Sequence, residues 1–540
     1  MPKTTDRHSA AADFVSAHSE RLRTLFTSRN LASWDIATSP DNTATERWAT
    51  ADLAIAAIYG DTAEYETVRA LHTALAADPD SDPALSRSLD VLTRSYLSRQ
   101  GDPEIIADMS HRSSRLRRKF GTFRPLVDGA PVTDGAIADV LETSDDNTLR
   151  QTMWEASQAV GEHVASDIIG LIELRNTHAR SLGFSDYYTL ALHLQEMDPQ
   201  WLESMLGRLD RETAAPFASA KASLDTTLSD RFGVAGNALQ AWHYVDPFFQ
   251  RPPTTESTEI EDLYAGMDME TIAVRFFDGL ATDVRPVMKA SDLYPRDAKN
   301  QHAFCTHIDR DGDVRILCNL RPSRRWMTTL LHELGHAIYD RYISRKLSWL
   351  LRTPSHTLST EAIALLMGRV ASEPEFLSEY AGISPLELAG HSGALRRHQS
   401  FSMLTFTRWV LVMTHFEREL YANPRRADLN ELWWNLREKY QGVRRPEGRR
   451  SADWAAKIHF AIAPVYYHNY LLGELLASQL RERLYLESQS NTLVDNLYAG
   501  EWLISNFFAS GNSLSWQDHI QKTLGETLKP DAFLRDYIRQ

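Results

Sequence analysis

Trp326-Met327-Thr328-Thr329-Leu330-Leu331-His332-Glu333-Leu334-Gly335-His336-Ala337-Ile338-Tyr339 is the stretch that decides how this chain is read. Its apolar residues recur at helical spacing. Residues four apart on a helix share a face, so His332 and His336 can offer two imidazoles to one metal ion, with Glu333 beside them. This is the HExxH arrangement, in which two His ligate zinc and the Glu acts as general base. The competing reading of the bare pentapeptide is a surface helix with its His and Glu facing water. A catalytic zinc takes three protein ligands and keeps one position open. Asp340 follows too closely in sequence to swing over, and positions 341 to 360 contain no Asp or Glu. Glu361 then opens an apolar helical run that continues to Met367, with Ser359 and Thr360 as N-cap candidates. An acid on such a run faces inward and needs a partner, which a metal supplies. The alternative is an acid placed in a first turn to complement the helix dipole. The candidate set is therefore one Zn2+ per chain on His332, His336 and Glu361, with Glu333 as the catalytic base. His356 is a weaker donor candidate. A zinc class with a third His six residues after the second does not fit, because that position is Tyr342 and Tyr339 stands where the class carries Gly.

Composition narrows the function classes. At 540 residues, 43% apolar and 24% charged, the chain can bury a sizeable core and has the make-up of a globular protein. A net charge of -14 argues against a nucleic-acid partner, which would want a basic surface. No run approaches the ~18 apolar residues of a membrane helix, and the N-terminal segment lacks a signal-peptide apolar region. The expectation is a cytoplasmic protein without a membrane partner.

Helical periodicity dominates, and a mainly α fold is expected. Ala12 to Phe26, Ala44 to Tyr59, Ile168 to Leu182, Trp201 to Leu228 and the stretch around Tyr470 all read as helices. Breaks fall near Asp78 to Pro83, Gly121 to Gly135, Pro247 to Thr258 and Val443 to Gly448. One segment reads clearly as β: His302 to Ile308 and Val314 to Cys318 flank Asp311-Gly312, a hairpin signal. With Asp311-Gly312 as a two-residue turn, Arg310 faces Asp313 and Cys305 faces Cys318. Opposed Cβ atoms lie roughly 4.5–5.5 Å apart, so a disulfide is geometrically open. A cytosolic setting favours a reduced pair. The hairpin either offers a strand edge to an extended peptide or braces the wall beside the metal helix.

The spacing supports a resemblance. A Glu 25 residues after the second His is similar to the thimet oligopeptidase and oligoendopeptidase group, and nearly the same spacing occurs in the angiotensin-converting enzyme family. Three further blocks resemble the latter family or its bacterial relatives. They are Ala32-Ser33-Trp34 with the Thr/Asn-rich stretch to Glu46, Leu171 to Tyr188, and Cys305 to Cys318. The resemblance implies a nearly all-helical chain working as a single peptidase catalytic unit across residues 1–540. In it, two helical subdomains flank a deep channel that admits short unfolded peptides. It implies a zinc cofactor, and it places His307 on a strand that binds substrate backbone.

A third cluster runs from Lys457 through His459, Tyr466, Tyr467 and Tyr470 to Glu474. Amide hydrolysis passes through a negatively charged tetrahedral species, which Tyr hydroxyl and His N–H groups stabilise. By resemblance, His459 and Tyr470 are catalytic oxyanion donors, while Lys457 and Tyr467 bind substrate on its C-terminal side. This requires one inserted residue between His459 and Tyr467, and Tyr466 competes for that position. The chain departs from the resembled enzymes in three places. An Arg tied to chloride activation is replaced by His468 or Asn469. The Gln that helps Lys grip a substrate carboxylate has no counterpart near Trp242-His243-Tyr244. An acid one turn beyond the third ligand is Leu365. Peptidyl-dipeptidase-like hydrolysis, internal cleavage as in an oligoendopeptidase, and non-catalytic peptide binding on the same fold therefore stay open. The intact His332, Glu333, His336 and Glu361 set favours an enzyme.

Overall fold

The computed structural model describes residues 4–39, 41–253, 264 and 266–539. The fold is mainly α, as the periodicity predicts, and the described residues contain two small two-stranded antiparallel sheets. Part of the break expected from Pro247 to Thr258 lies outside the described residues. The chain divides into two compact units, each assembled from separated segments. The first comprises Met1–Gln100, Glu256–Ser392 and Leu472–Ala532; the second comprises Gly101–Thr255, Gly393–Leu471 and Phe533–Gln540.

In the first unit, helices Thr4–Thr38, Asn42–Tyr59, Thr62–Ala76 and Pro83–Leu97 pack around Val15, Leu22, Ile55, Val68, Leu75, Leu89 and Leu92. Asp41, Asp61 and Asp82 start the last three of these helices by accepting a first-turn N–H, which satisfies donors that a helix end would otherwise leave unpaired. Helix Arg324–Tyr342, capped by Ser323, carries the HExxH residues and packs against helix Thr357–Val370. The approach is close because Gly335 has no side chain. A Cβ there would lie 2.8 Å from Ala364 Cα and 3.1 Å from the Ile363 carbonyl oxygen.

The hairpin corrects the predicted register. Strands Phe304–His307 and Val314–Leu317 pair with His307 opposite Val314 and Cys305 opposite Ile316, so Cys305 does not face Cys318. The Ile308 N–H donates to the Asp313 carbonyl at 2.8 Å, which leaves a four-residue turn from Asp309 to Gly312. Asp309 explains the difference. Its carboxylate accepts the Asp311 and Asp313 N–H groups at 2.7 and 3.1 Å, a local bond that outcompetes the two-residue turn. Arg310 and Gly312 take up the positive φ angles. Both cysteines are free. The outer edge of Val314–Leu317 is covered by a bridge from Asp292, and buried Lys299 ties Asp292, Tyr294 and the Cys318 carbonyl together.

The second unit contains helices Pro103–Thr122, Asn147–Gln158, Val160–Ser181 and Pro199–Phe232. It is built around Trp154, Trp409, Trp433 and Trp434, all fully buried. Its hairpin, Leu126–Val127 with Ala130–Pro131, turns through Asp128-Gly129, both at positive φ. The sequence reading missed it because two-residue strands leave no alternation to detect. No helix among the described residues is long and apolar enough to cross a membrane.

Replacing Gly335 by Ala forces a methyl group onto the facing backbone. Overpacking of this kind costs about 1–3 kcal/mol, and loss of metal affinity should accompany it because both helices carry ligands. Thermal unfolding and zinc titration of Gly335→Ala test this; wild-type values for both would show that the helices are not held by this contact.

Candidate metal centre and active site

The Arg324–Tyr342 helix buries Met327, Leu330, Leu331, Leu334, Ala337 and Ile338. That face fixes its rotation and leaves the His332 and His336 rings side by side, centroids 4.9 Å apart. Glu361 arrives from the neighbouring helix, and its Oε2 lies 3.9 Å from His332 Nε2. One donor atom from each of His332, His336 and Glu361 lies within 4.8 Å of the others, the spread that a single ion can bridge. Glu361 does not open its helix as predicted. The helix begins at Thr357 under an N-cap from His356, whose Nδ1 accepts the Leu358 N–H. Ser359 and Thr360 lie inside the helix, where their hydroxyls serve side chains instead. Ser359 meets Ser355 at 3.1 Å, and Thr360 Oγ1 lies 2.7 Å from His336 Nδ1. A metal on His336 Nε2 requires the proton on Nδ1, and Thr360 is placed to accept it.

The electrostatics fit a cation. Burial holds His332 at about 4, and burial with His332 alongside holds His336 at about 3. Both imidazoles are therefore neutral, as ligands must be. Burial, then the charge of Glu474, lifts the Glu361 carboxyl to about 7; burial, then Glu361, lifts Glu333 to about 8. Two buried acids and two neutral imidazoles around one point lack a positive charge, and a divalent ion of zinc type supplies it. Glu474 is itself paired with Arg369. The cleft over these residues has a volume of about 490 Å³ and is walled by Ala303, Phe304, Cys305, Asp340, Pro354 and Thr360. Burial pushes the Cys305 thiol well above its usual range.

The other candidates fall into two places. His307 belongs to the hairpin beside the cleft, where its Nε2 accepts the Gly312 N–H at 3.2 Å and its Nδ1 lies 3.8 Å from Asp340. Lys457, His459, Tyr467 and Tyr470 lie in the second unit and do form a cluster. Tyr467 packs on His459 with centroids 5.0 Å apart and on Tyr470 at 5.4 Å. Lys457 Nζ donates to Gln250 Oε1 at 2.8 Å, and the Tyr467 hydroxyl reaches the same oxygen at 3.2 Å. Trp409 Nε1 donates to that hydroxyl at 2.6 Å. Gln250 is the residue that sequence reading missed. It lies 207 positions from Lys457, beyond the reach of any local pattern. Among the described residues Lys457 has no carboxylate within ion-pair distance; it faces Gln250 and the rings of Phe248, Trp409 and Tyr467, while the charge of Asp246, which accepts the Gln250 N–H, acts on it from further off. Burial lowers it to about 8, so it remains a cation at neutral pH. Burial, with Lys457 nearby, keeps His459 neutral at about 4.

A mainly helical chain with this ligand set has the make-up of a zinc metallopeptidase, and comparison with known proteins agrees. The family model described as Peptidase family M3 matches residues 289–538, and that described as Angiotensin-converting enzyme matches residues 5–232. An angiotensin-converting enzyme of Haematobia irritans exigua is 23% identical over 54% of this chain and 51% of its own length. One of Theromyzon tessulatum is 21% identical over 85% of this chain and 80% of its own length. A protein of Caenorhabditis elegans named as an inactive angiotensin-converting enzyme-related protein is 27% identical, but over only 25% of this chain and 15% of its own length. Together these matches support a zinc metallopeptidase of the angiotensin-converting enzyme and thimet oligopeptidase type.

Zinc must displace a proton from Glu361 at and below about pH 7, while the imidazoles compete only near pH 4 and below. Affinity should therefore rise from pH 6 to 8, with proton release visible as buffer-dependent heats in calorimetric titration. Thr360→Val should weaken binding by about 10–100-fold. A pH-flat affinity, or a Thr360→Val variant that binds like wild type, would contradict this description.

Proposed function

We propose that the protein hydrolyses peptide bonds in short unfolded peptides and releases dipeptides from a free C-terminus. The observation that carries the reading is Lys457, a buried cation with a neutral amide and a phenol as its polar neighbours. A buried cation with no carboxylate in direct contact is costly, Asp246 acts on it only from a distance, and a substrate carboxylate would neutralise it. Gln250 supplies the amide that the sequence lacked near Trp242-His243-Tyr244, and the Tyr467 hydroxyl shares it.

Glu333 acts as general base in this reading. Burial, then the charge of Glu361, raises its carboxyl to about 8, and a cation held by His332, His336 and Glu361 would return it to the ionised form that a base requires. One of its carboxylate oxygens takes the proton of the attacking water and returns it to the leaving amine. When bound at His332, His336 and Glu361, zinc supplies Lewis acidity to the scissile carbonyl and makes water easier to deprotonate. His459 and Tyr470 donate hydrogen bonds to the developing oxyanion. The strand Phe304–His307, with residues 303–305 on the cleft wall, offers a backbone edge that could hold an extended substrate. We take the whole chain as one peptidase and place it in the cytoplasm, where Cys305 and Cys318 stay reduced.

Internal cleavage is the second reading. It is favoured by the match of residues 289–538, which include the metal ligands, to Peptidase family M3. Amidating the C-terminus of a test peptide separates the two. If Lys457 grips a free carboxylate, amidation slows turnover strongly and mass spectrometry finds dipeptide products. Unchanged rates with internal cuts would make the enzyme an oligoendopeptidase.

Glu333→Gln should retain zinc and lose most turnover. Tyr470→Phe should lower kcat by roughly 10²–10³ with little change in KM. Near-normal rates in Glu333→Gln would remove it as the base. If Tyr466→Phe shows that loss and Tyr470→Phe does not, the oxyanion donor is misassigned.

A further inference from the structure

The segment carrying His459, Tyr467 and Tyr470 has little regular structure of its own. A four-residue helix, His459–Ile462, ends well short of the helix that starts at His468. Between them Val465 takes φ 53°. A β-branched residue in the left-handed region is a genuine outlier, and such conformations persist only where their surroundings over-determine them.

Those surroundings are buried side chains from distant parts of the chain. The Val465 N–H donates to Glu417 Oε1 at 2.8 Å. Its carbonyl accepts from Gln195 Nε2 at 2.9 Å, and Gln195 Oε1 accepts from Asn469 Nδ2 at 2.8 Å. Upstream, Arg175 donates to the carbonyls of Phe460 and Ala461 at 3.0 and 2.7 Å. Glu417 is 3% exposed and Arg175 5%. Among the described residues Glu417 has no ion-pair partner, and its contact with the Val465 amide is the one hydrogen bond it makes. Burial lifts its carboxyl to about 8. An unpaired buried acid is an expensive way to fill space, so its position calls for a local reason.

That reason follows two residues later. Tyr467 stands there, and with Val465 left-handed its hydroxyl meets Gln250 Oε1 at 3.2 Å. We propose that Glu417 and Gln195 are positioning residues: by locking Val465 in the left-handed conformation they hold the Tyr467 hydroxyl on Gln250, beside Lys457. This rests on the reading of Lys457 and Tyr467 as a grip for the substrate carboxylate. Glu417 touches no reacting atom and acts through the backbone.

The test uses the full-length zinc-loaded chain and a pair of peptides differing only in a free or amidated C-terminus. Glu417→Leu should raise KM for the free-acid peptide at least about tenfold, leave the amidated peptide nearly unchanged, and so erase the preference between them. Glu417→Gln keeps an acceptor for the Val465 amide and should retain the preference. Val465→Gly removes the cost of positive φ, so adding it to Glu417→Leu should restore most of the preference. A Glu417→Leu protein that keeps the preference, or a double variant no better than Glu417→Leu alone, overturns the proposal. If Glu417→Leu does not fold, Gln195→Leu takes its place with the same expectations. Amide exchange at Val465 supplies a readout independent of turnover: it should be accelerated in Glu417→Leu and slow in Glu417→Gln, and unchanged exchange in Glu417→Leu overturns the clamp. If Lys457→Met and Tyr467→Phe leave the free-acid preference intact while exchange behaves as described, the carboxylate reading fails and the clamp stands.

Discussion

The close packing of two helices at Gly335 is the constraint on which the metal centre depends. Three donors from two helices can meet one ion only if the helix axes come nearer than ordinary side chains allow. Gly335 lies between Glu333 and His336 and faces Ile363 and Ala364, just beyond Glu361. A Cβ on Gly368 would lie 3.4 Å from His332 Cβ, and one on Gly473 would lie 3.1 Å from Glu361 Cβ. Both ligand-bearing segments are thus backed by glycines at the points of nearest approach. The geometry of the donors is set by what is missing around them as much as by the ligands themselves.

Burial is the second organising term, and it acts in opposite directions at the two functional clusters. Around His332, His336, Glu333 and Glu361 it raises the acids and lowers the imidazoles, which leaves a centre short of positive charge. Around Lys457 it lowers a cation that, among the described residues, has no carboxylate in direct contact and feels Asp246 only from a distance. Each cluster is complementary to something of the opposite sign. In a structural ion pair that complement would be another side chain; Arg369 with Glu474 is such a case. That no carboxylate among the described residues touches Lys457 is therefore more informative than the presence of a Lys on an aromatic background.

The metal set was legible because it obeys local rules. Helical period places His332 and His336 on one face, and the acid-free interval to Glu361 narrows the third donor to one residue. The long helices were legible for the same reason, since an apolar stripe repeats over many turns. Three things were not. Asp311-Gly312 looked like a two-residue turn, but the Asp309 carboxylate captured two backbone amides and shifted the register. Ser359 and Thr360 looked like caps, but the helix starts earlier and their hydroxyls serve Ser355 and His336. Gln250 carried no signal at all, because its meaning comes from Lys457 and Tyr467 across more than two hundred positions. In each case a polar side chain had a choice of partners: at Asp309 a bond within the turn made it, and at Thr360 and Gln250 the tertiary structure did.

The same principle bears on the turn that leads into Tyr467. Val465 is a poor residue for the left-handed conformation on intrinsic grounds, so its strain has to be met by bonds from outside. Glu417 and Gln195 provide one on each side of Val465, to its N–H and its carbonyl, and Arg175 fixes the carbonyls of Phe460 and Ala461 before it. Positions 195 and 417 therefore belong in any account of Tyr467, although neither lies near it in the sequence.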